Sequence, residues 1–155
     1  MRFLCDAMLG RLARWLRAAG HDALLARDAQ RDRDLLETAA QEDRVLLTLD
    51  RALAGRRAGQ GRVLLLGSER IEAQARELRR RLGVDWLHDP FTRCVVDNAP
   101  LRPASAEEVA GLPRKVRGIG GPVARCPLCQ RLYWAGDHHH RMRERLERWQ
   151  AEGRG

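Results

Sequence analysis

Three short apolar runs, each followed by a stretch of helical periodicity, constrain this 155-residue chain more than any other feature. The first, Arg2 to Cys5, ends at Asp6. From Met8 the pattern becomes helical, with Met8, Leu12, Trp15, Leu16 and Ala19 on one stripe and Gly20 as the stop. His21 to Ala26 reads as a second short strand. After the polar segment from Arg27 to Asp34 comes a helix with Leu35, Leu36, Ala39 and Ala40 as its apolar face. Arg44 to Thr48 is a further strand, leading into Leu49-Asp50. The last cycle pairs Arg62 to Leu66, bounded by glycines, with a helix over Ile71 to Leu82 that Gly83 stops. Parallel neighbours need crossover connections, so strands alternating with helices at these intervals predict an α/β domain, residues 1–88, with helices on the faces of a parallel sheet.

Beyond Asp89-Pro90 the texture changes. Proline and glycine become frequent, apolar periodicity fades, and three of the four cysteines appear, which predicts a small metal-ordered module over residues 89–155. Cys126-Pro-Leu-Cys129 is the kind of knuckle that places two thiolates on one tetrahedral ion, with the second half-site expected upstream. Asp137 to Ala151 returns to helix-compatible residues, with Met142, Leu146 and Trp149 on one side, and the histidines His138, His139 and His140 that open it read as native sequence. Charges interrupt every apolar stretch near the start, so the sequence predicts no signal peptide, no membrane association and a cytoplasmic location. There is no internal repeat.

The formal net charge is +8, carried almost wholly by arginine, since Lys115 is the only lysine. A planar guanidinium suits phosphate oxygens, and although an arginine-rich composition alone explains the choice of Arg over Lys, it leaves the net charge unexplained. The charge therefore points to a nucleic-acid partner without separating RNA from DNA.

In open α/β sheets ligands gather at the carboxyl ends of the strands. Asp6 and Asp50 directly follow predicted strands, and Asp34 opens the helix between them. Three carboxylates converging there require a neutralising cation, and hard oxygen donors select magnesium or manganese, which activate water and stabilise charge on a scissile phosphate. The ordinary reading is that Asp6 and Asp34 are helix N-caps and Asp50 a turn residue. Arg11, Arg14 and Arg17 lie on the first helix, largely opposite its apolar stripe, either as phosphate contacts, with Arg11 and Arg14 the better placed, or as a solvated face. Trp15, Trp86, Trp134 and Trp149 are candidates for stacking on bases, Trp15 being better explained as core.

Taken together, Phe3-Leu-Cys-Asp6, Leu9-x-x-Leu-Ala-Arg-Trp-Leu-Arg17 with Gly20, Asp34-Leu-Leu-x-x-Ala39 and Val45-Leu-Leu-Thr-x-Asp50 resemble the PIN-like ribonucleases of the Mut-seven C-terminal type. The resemblance continues through Gln74, Glu77, Phe91-x-Arg-Cys94 and Cys126-x-x-Cys129-x-x-x-Tyr-Trp134-x-Gly136-x-His138, nearly the whole chain. It implies a PIN-like sheet followed by a zinc ribbon, divalent-metal endonucleolysis of RNA, and Asp6, Asp34 and Asp50 as the catalytic, metal-holding acids. A fourth acid is not evident, which leaves open one catalytic ion or two. The resemblance places the upstream zinc half-site at Cys94-Val-Val-Asp97, with Asp97 where the family has a cysteine. Three arrangements stay open: Asp97 as fourth ligand beside Cys94, Cys126 and Cys129, a histidine among His138 to His140 in its place, or no zinc. The sequence supports two other functions, a non-catalytic zinc-ribbon RNA adaptor and a toxin-like nuclease restrained by an inhibitory protein partner, and it leaves open a homo-oligomer.

Overall fold

The computed structural model describes residues 1–152. Strands β1 (Arg2–Cys5), β2 (Asp22–Leu25), β3 (Val45–Thr48) and β4 (Val63–Leu65) form one sheet in the order β2-β1-β3-β4, with every neighbouring pair parallel. Strands buried on both faces need apolar side chains at successive positions, which is why they appear in sequence as continuous runs. The register sorts those side chains cleanly. Phe3, Cys5, Ala23, Leu47 and Leu64 belong to one core cluster, and Leu4, Leu46, Leu24 and Val63 to a second on the opposite face.

Helices α1 (Gly10–Ala18) and α4 (Ile71–Leu82) supply Leu12, Leu16, Ile71, Ala75 and Leu78 to the first cluster. Helix α2 (Asp32–Gln41) and the single turn α3 (Arg51–Ala54) supply Leu35, Leu36, Ala39 and Leu53 to the second. The result is a three-layer α/β/α body. No helix among the described residues is long and apolar enough to cross a membrane.

After α4 the chain crosses the end of α1. Asp89 and Phe91 donate backbone hydrogen bonds to the carbonyls of Ala19 and Ala18, at 3.1 and 2.8 Å. Gly20 sits beneath this crossing at φ +92°, and a Cβ there would lie 2.1 Å from the Asp89 carbonyl oxygen, so both its conformation and the space demand glycine.

The following module is a small antiparallel sheet of β5 (Arg102–Pro103), β6 (Ala124–Arg125) and β7 (Leu132–Tyr133), with helices α5 (Ala106–Ala110) and α6 (Arg114–Arg117) in the connection between β5 and β6. The chain then enters α7 (Asp137–Glu152), which packs on α4, and its Leu146 and Trp149 are fully buried in the first core cluster. Trp149 meets Trp15 and Trp86 edge-on, with centroids 4.9 and 5.0 Å apart, and its indole N–H donates to Glu72, which also receives Arg145. Trp86 is fully buried and donates to the Ala75 carbonyl at 3.2 Å. Trp86 and Trp149 are therefore core residues rather than base-stacking surfaces, and half-buried Trp15 packs against the same core.

Candidate active site and metal centre

The order β2-β1-β3-β4 places the topological switch point between β1 and β3, because the connections from these two strands leave in opposite directions. Crevices at the carboxyl ends of such strands are where α/β sheets bind ligands. Asp6 and Asp50 emerge at this point, and the Asp6 backbone N–H donates to the Leu47 carbonyl of the neighbouring strand at 3.0 Å.

One residue joins the two acids. The Thr48 hydroxyl donates to Asp6 Oδ2 at 2.8 Å and accepts from the Asp50 backbone N–H at 3.0 Å. Both aspartates also cap helical turns, which the ordinary reading of the sequence expected for Asp6 but not for Asp50, read there as a turn residue. Asp6 Oδ1 accepts from Ala7 N at 2.8 Å, and Asp50 Oδ1 accepts from Ala52 N and Leu53 N at 2.7 and 3.2 Å. Capping and cation binding do not exclude each other, since a carboxylate has two oxygens and about four lone-pair sites. Thr48 was not among the sequence candidates. Its signal was a hydroxyl closing an otherwise apolar strand.

Asp34 occupies the third position of α2 and is exposed, so it is not the N-cap the sequence allowed; Arg31 holds that position, without a side-chain cap. The first turn of α2 lies at the carboxyl edge of the sheet, where Asp32 pairs with Arg56 at 2.9 Å. The structure thus ties Asp6 to Asp50 and leaves Asp34 outside their hydrogen-bonded unit. Asp6, Asp34 and Asp50 do not form a close three-ligand group.

The helical arginines fall into three environments. Arg11 is exposed and lines a depression with Met8, Leu49 and Gln74 beside the switch point. Arg14 is exposed and faces a separate groove shared with the C-terminal module. Arg17, grouped with them in the sequence, is buried: Nε donates to the Ala23 carbonyl at 2.8 Å and Nη1 to those of Val95 and Val96 at 3.1 and 3.0 Å. It fastens the Cys94 loop to β2 and is not a phosphate contact.

At that loop Cys94, Asp97, Cys126 and Cys129 bring one ligand atom each within 4.8 Å of one another, the one such group of three or more among the described residues. Cys94 Sγ lies 3.8 Å from Cys129 Sγ and 3.5 Å from Asp97 Oδ2, and Cys126 Sγ lies 3.1 Å from the same oxygen. Two thiolates about 2.3 Å from a tetrahedral zinc stand about 3.8 Å apart, so the donor set fits that ion. Backbone N–H groups of Asp97 and Leu128 point at Cys94 and Cys126 sulfur, both at 3.4 Å, and the Tyr133 hydroxyl sits 3.1 Å from Cys94 Sγ. Such outer contacts orient metal ligands and offset thiolate charge. Burial pushes the Cys94 thiol up, but Tyr133 and the backbone N–H groups outweigh it and hold the thiol below its ordinary range. The Asp97 carboxylate pushes the Cys129 thiol up to about 12, a tendency a bound divalent cation would invert. His138 to His140 lie outside this group, and His139 instead packs on Phe91 with ring centroids 3.9 Å apart. Asp97, and none of the three histidines, belongs to the close donor group.

A family model described as the Mut7-C RNase domain matches residues 1–146. The chain belongs to the Mut7-C RNase family. Among curated proteins, the human exonuclease mut-7 homolog is 37% identical over 101 residues. That match covers 63% of this chain but 12% of the human protein. No solved structure matches. The family model is described as an RNase domain, and the chain spans about an eighth of the human relative's length. Independently of that match, the Cys-rich group could hold a metal such as zinc.

Proposed function

We propose that this Mut7-C domain is a divalent-metal-dependent endoribonuclease, with Asp6 and Asp50 as its central acids and Asp34 as an outer contributor. The observation that carries the reading is the Thr48 bridge, which ties the Asp6 carboxylate to the Asp50 backbone at the switch point of a parallel sheet. Hard carboxylate oxygens fit magnesium or manganese, which when bound lowers the pKa of a coordinated water and neutralises charge developing on phosphate. The protein's part is orientation. Asp6 is held by Ala7 N and Thr48, and Asp50 by two backbone N–H donors of α3, so each carboxylate keeps further lone pairs directed elsewhere. Exposed Arg11, beside the crevice, supplies a guanidinium for a substrate phosphate. At Cys94, Asp97, Cys126 and Cys129 we assign a structural zinc, with no open position for substrate.

The name of the human relative favours a second reading, exonucleolysis. A circular and a linear RNA of the same sequence, incubated with magnesium or manganese, separate the two. Linearised circles are expected from wild type, and Asp6→Asn and Asp50→Asn should each fall at least about a hundredfold, since both acids bind the reacting centre. Cleavage of linear RNA alone would establish the exonuclease. Equal cleavage by all three proteins would remove these acids from the mechanism, and binding without cleavage by folded wild type would favour an adaptor.

A further inference from the structure

Arg14 opens onto a groove of about 360 Å³ formed where α1, the segment around β7 and the start of α7 meet. Its wall carries three guanidinium groups, from Arg14, Arg93 and Arg131, against one carboxylate, Asp137, and between them lie the rings of Tyr133 and Trp134. The tryptophans differ sharply. Trp86 and Trp149 are sealed in the core and Trp15 packs on it, whereas Trp134 lines this opening. Arg93 is anchored through Nη1 to the Asn98 carbonyl at 2.8 Å, which leaves its other N–H groups to donate. Tyr133 is fixed by its hydroxyl contacts to Cys94 Sγ and Val95 N. The groove is thus held in shape by the Cys-rich centre behind it.

Aromatic rings flanked by exposed arginines match an unpaired nucleotide, whose base stacks and whose phosphate takes charge-assisted hydrogen bonds. A peptide or lipid would leave one half of this chemistry unused. The placement adds direction. Arg11, beside the acidic crevice, and Arg14, at the groove, are three residues apart on α1, an axial rise of about 4.5 Å.

We propose that this groove binds one unpaired nucleotide of a single-stranded RNA whose neighbouring phosphate reaches the Asp6–Asp50 crevice, with the base against Trp134 and the phosphate on Arg14 and Arg131. The identity of the polymer rests on the ribonuclease reading; the groove itself does not.

The test is anisotropy titration of the full Asp6→Asn chain with a fluorescent single-stranded RNA and with the same sequence as a duplex, without added magnesium or manganese. Adding Trp134→Ala should weaken single-strand binding at least about fivefold, with the salt slope unchanged, and leave duplex binding as it was. Trp134→Phe should restore most of the affinity. Arg14→Gln should lower the slope of log affinity against log salt by about 0.7, the value for one phosphate contact on a single strand. Unchanged single-strand affinity in Trp134→Ala overturns the proposal, as does a Trp134→Phe variant as weak as alanine while folded and metal-loaded. Should Trp134→Ala fail to fold, Arg14→Gln decides, and an unchanged salt slope overturns the proposal. Failure of the ribonuclease reading looks different: wild type cuts no RNA with magnesium or manganese, yet the binding pattern persists.

Discussion

Thr48 shows how much of a site can rest on one hydroxyl. It is fully buried, ends a strand of otherwise apolar residues, and serves as donor to Asp6 and acceptor from Asp50 N. Valine would fill nearly the same space and break both links. Loss of a partner leaves a polar group unsatisfied, at about 1–3 kcal/mol, and loss of a group that orients a metal-binding acid typically costs about 10–100-fold in affinity or activity. Thr48→Val should therefore lower the melting temperature by several degrees and weaken manganese-supported cleavage by about one to two orders of magnitude, while Thr48→Ser stays near wild type in cleavage. A valine variant with wild-type kinetics at every manganese concentration would show that Asp6 and Asp50 need no bridge.

At the level of elements, the Cys-rich module and the edge of the sheet form one hydrogen-bonded unit. Strand β2 is an edge strand, and such strands leave a row of backbone groups without partners. Here the outward groups of Ala23 are both taken: its carbonyl by Arg17 at 2.8 Å and its N–H by Asn98 Oδ1 at 3.0 Å. Asn98 follows Asp97 directly at φ +67°, and its Nδ2 donates to Asp22 at 2.7 Å. Removing metal from the neighbouring ligands should release this clamp. Mild chelation is expected to speed hydrogen exchange at the Ala23 amide at least about tenfold, equivalent to about 1.4 kcal/mol. Asn98→Ala should do the same with metal retained, and Asp97→Cys should hold zinc more tightly than wild type. Unaltered exchange at Ala23 after measured loss of metal would uncouple the two elements.

Sequence patterns made the parallel sheet and its four long helices visible, because burial on both faces and on helical stripes writes itself into periodicity. The strands of the small sheet are two residues each and have no period to read. Arg17 escaped because a buried arginine satisfied by distant carbonyls looks, in a helix, like its exposed neighbours. The attachment of α7 to the first core depends on contacts across more than sixty positions, such as Trp149 with Glu72, which local patterns do not encode. Of the candidate site, spacing and resemblance point to Asp6 and Asp50 and to the group of Cys94, Asp97, Cys126 and Cys129. Their union through Thr48, and the separation of Asp34 from it, required coordinates.

Across the whole molecule, buried His21 and half-buried His139 tie stability to acid. His21 is only 5% exposed and lies where the linker after α4 crosses the body: Nε2 is 2.8 Å from the Asp85 carbonyl, and the ring stacks on His88 at 4.9 Å with 7° between planes. That contact assigns the proton to Nε2, so charging the ring means placing a second proton on Nδ1, which is buried and has no partner among the described residues. Burial, reinforced by His88, holds the His21 pKa below its usual value, although the Asp85 carbonyl opposes this; burial and Arg143 do likewise for His139. Above about pH 6.5 both folded and unfolded chains carry neutral imidazoles, so their contribution to stability is complete. As pH falls below that value the unfolded chain takes up protons first, and stability declines until the folded-state values are reached. A second loss follows in stronger acid. Burial raises the Asp22 pKa, but Arg44, Asn98 and Arg2 outweigh it and hold the carboxyl well below the usual carboxylate range, so its contribution disappears only as pH drops beneath about 3.9. Acid would also release a metal held by the Cys-rich group, so variants must be compared at equal pH and equal metal content. His21→Gln keeps an N–H for the Asp85 carbonyl and removes the titration. The melting temperature of wild type should fall between pH 7 and 5, and that of His21→Gln should fall less steeply over the same interval; parallel curves would mean that His21 carries none of the acid sensitivity.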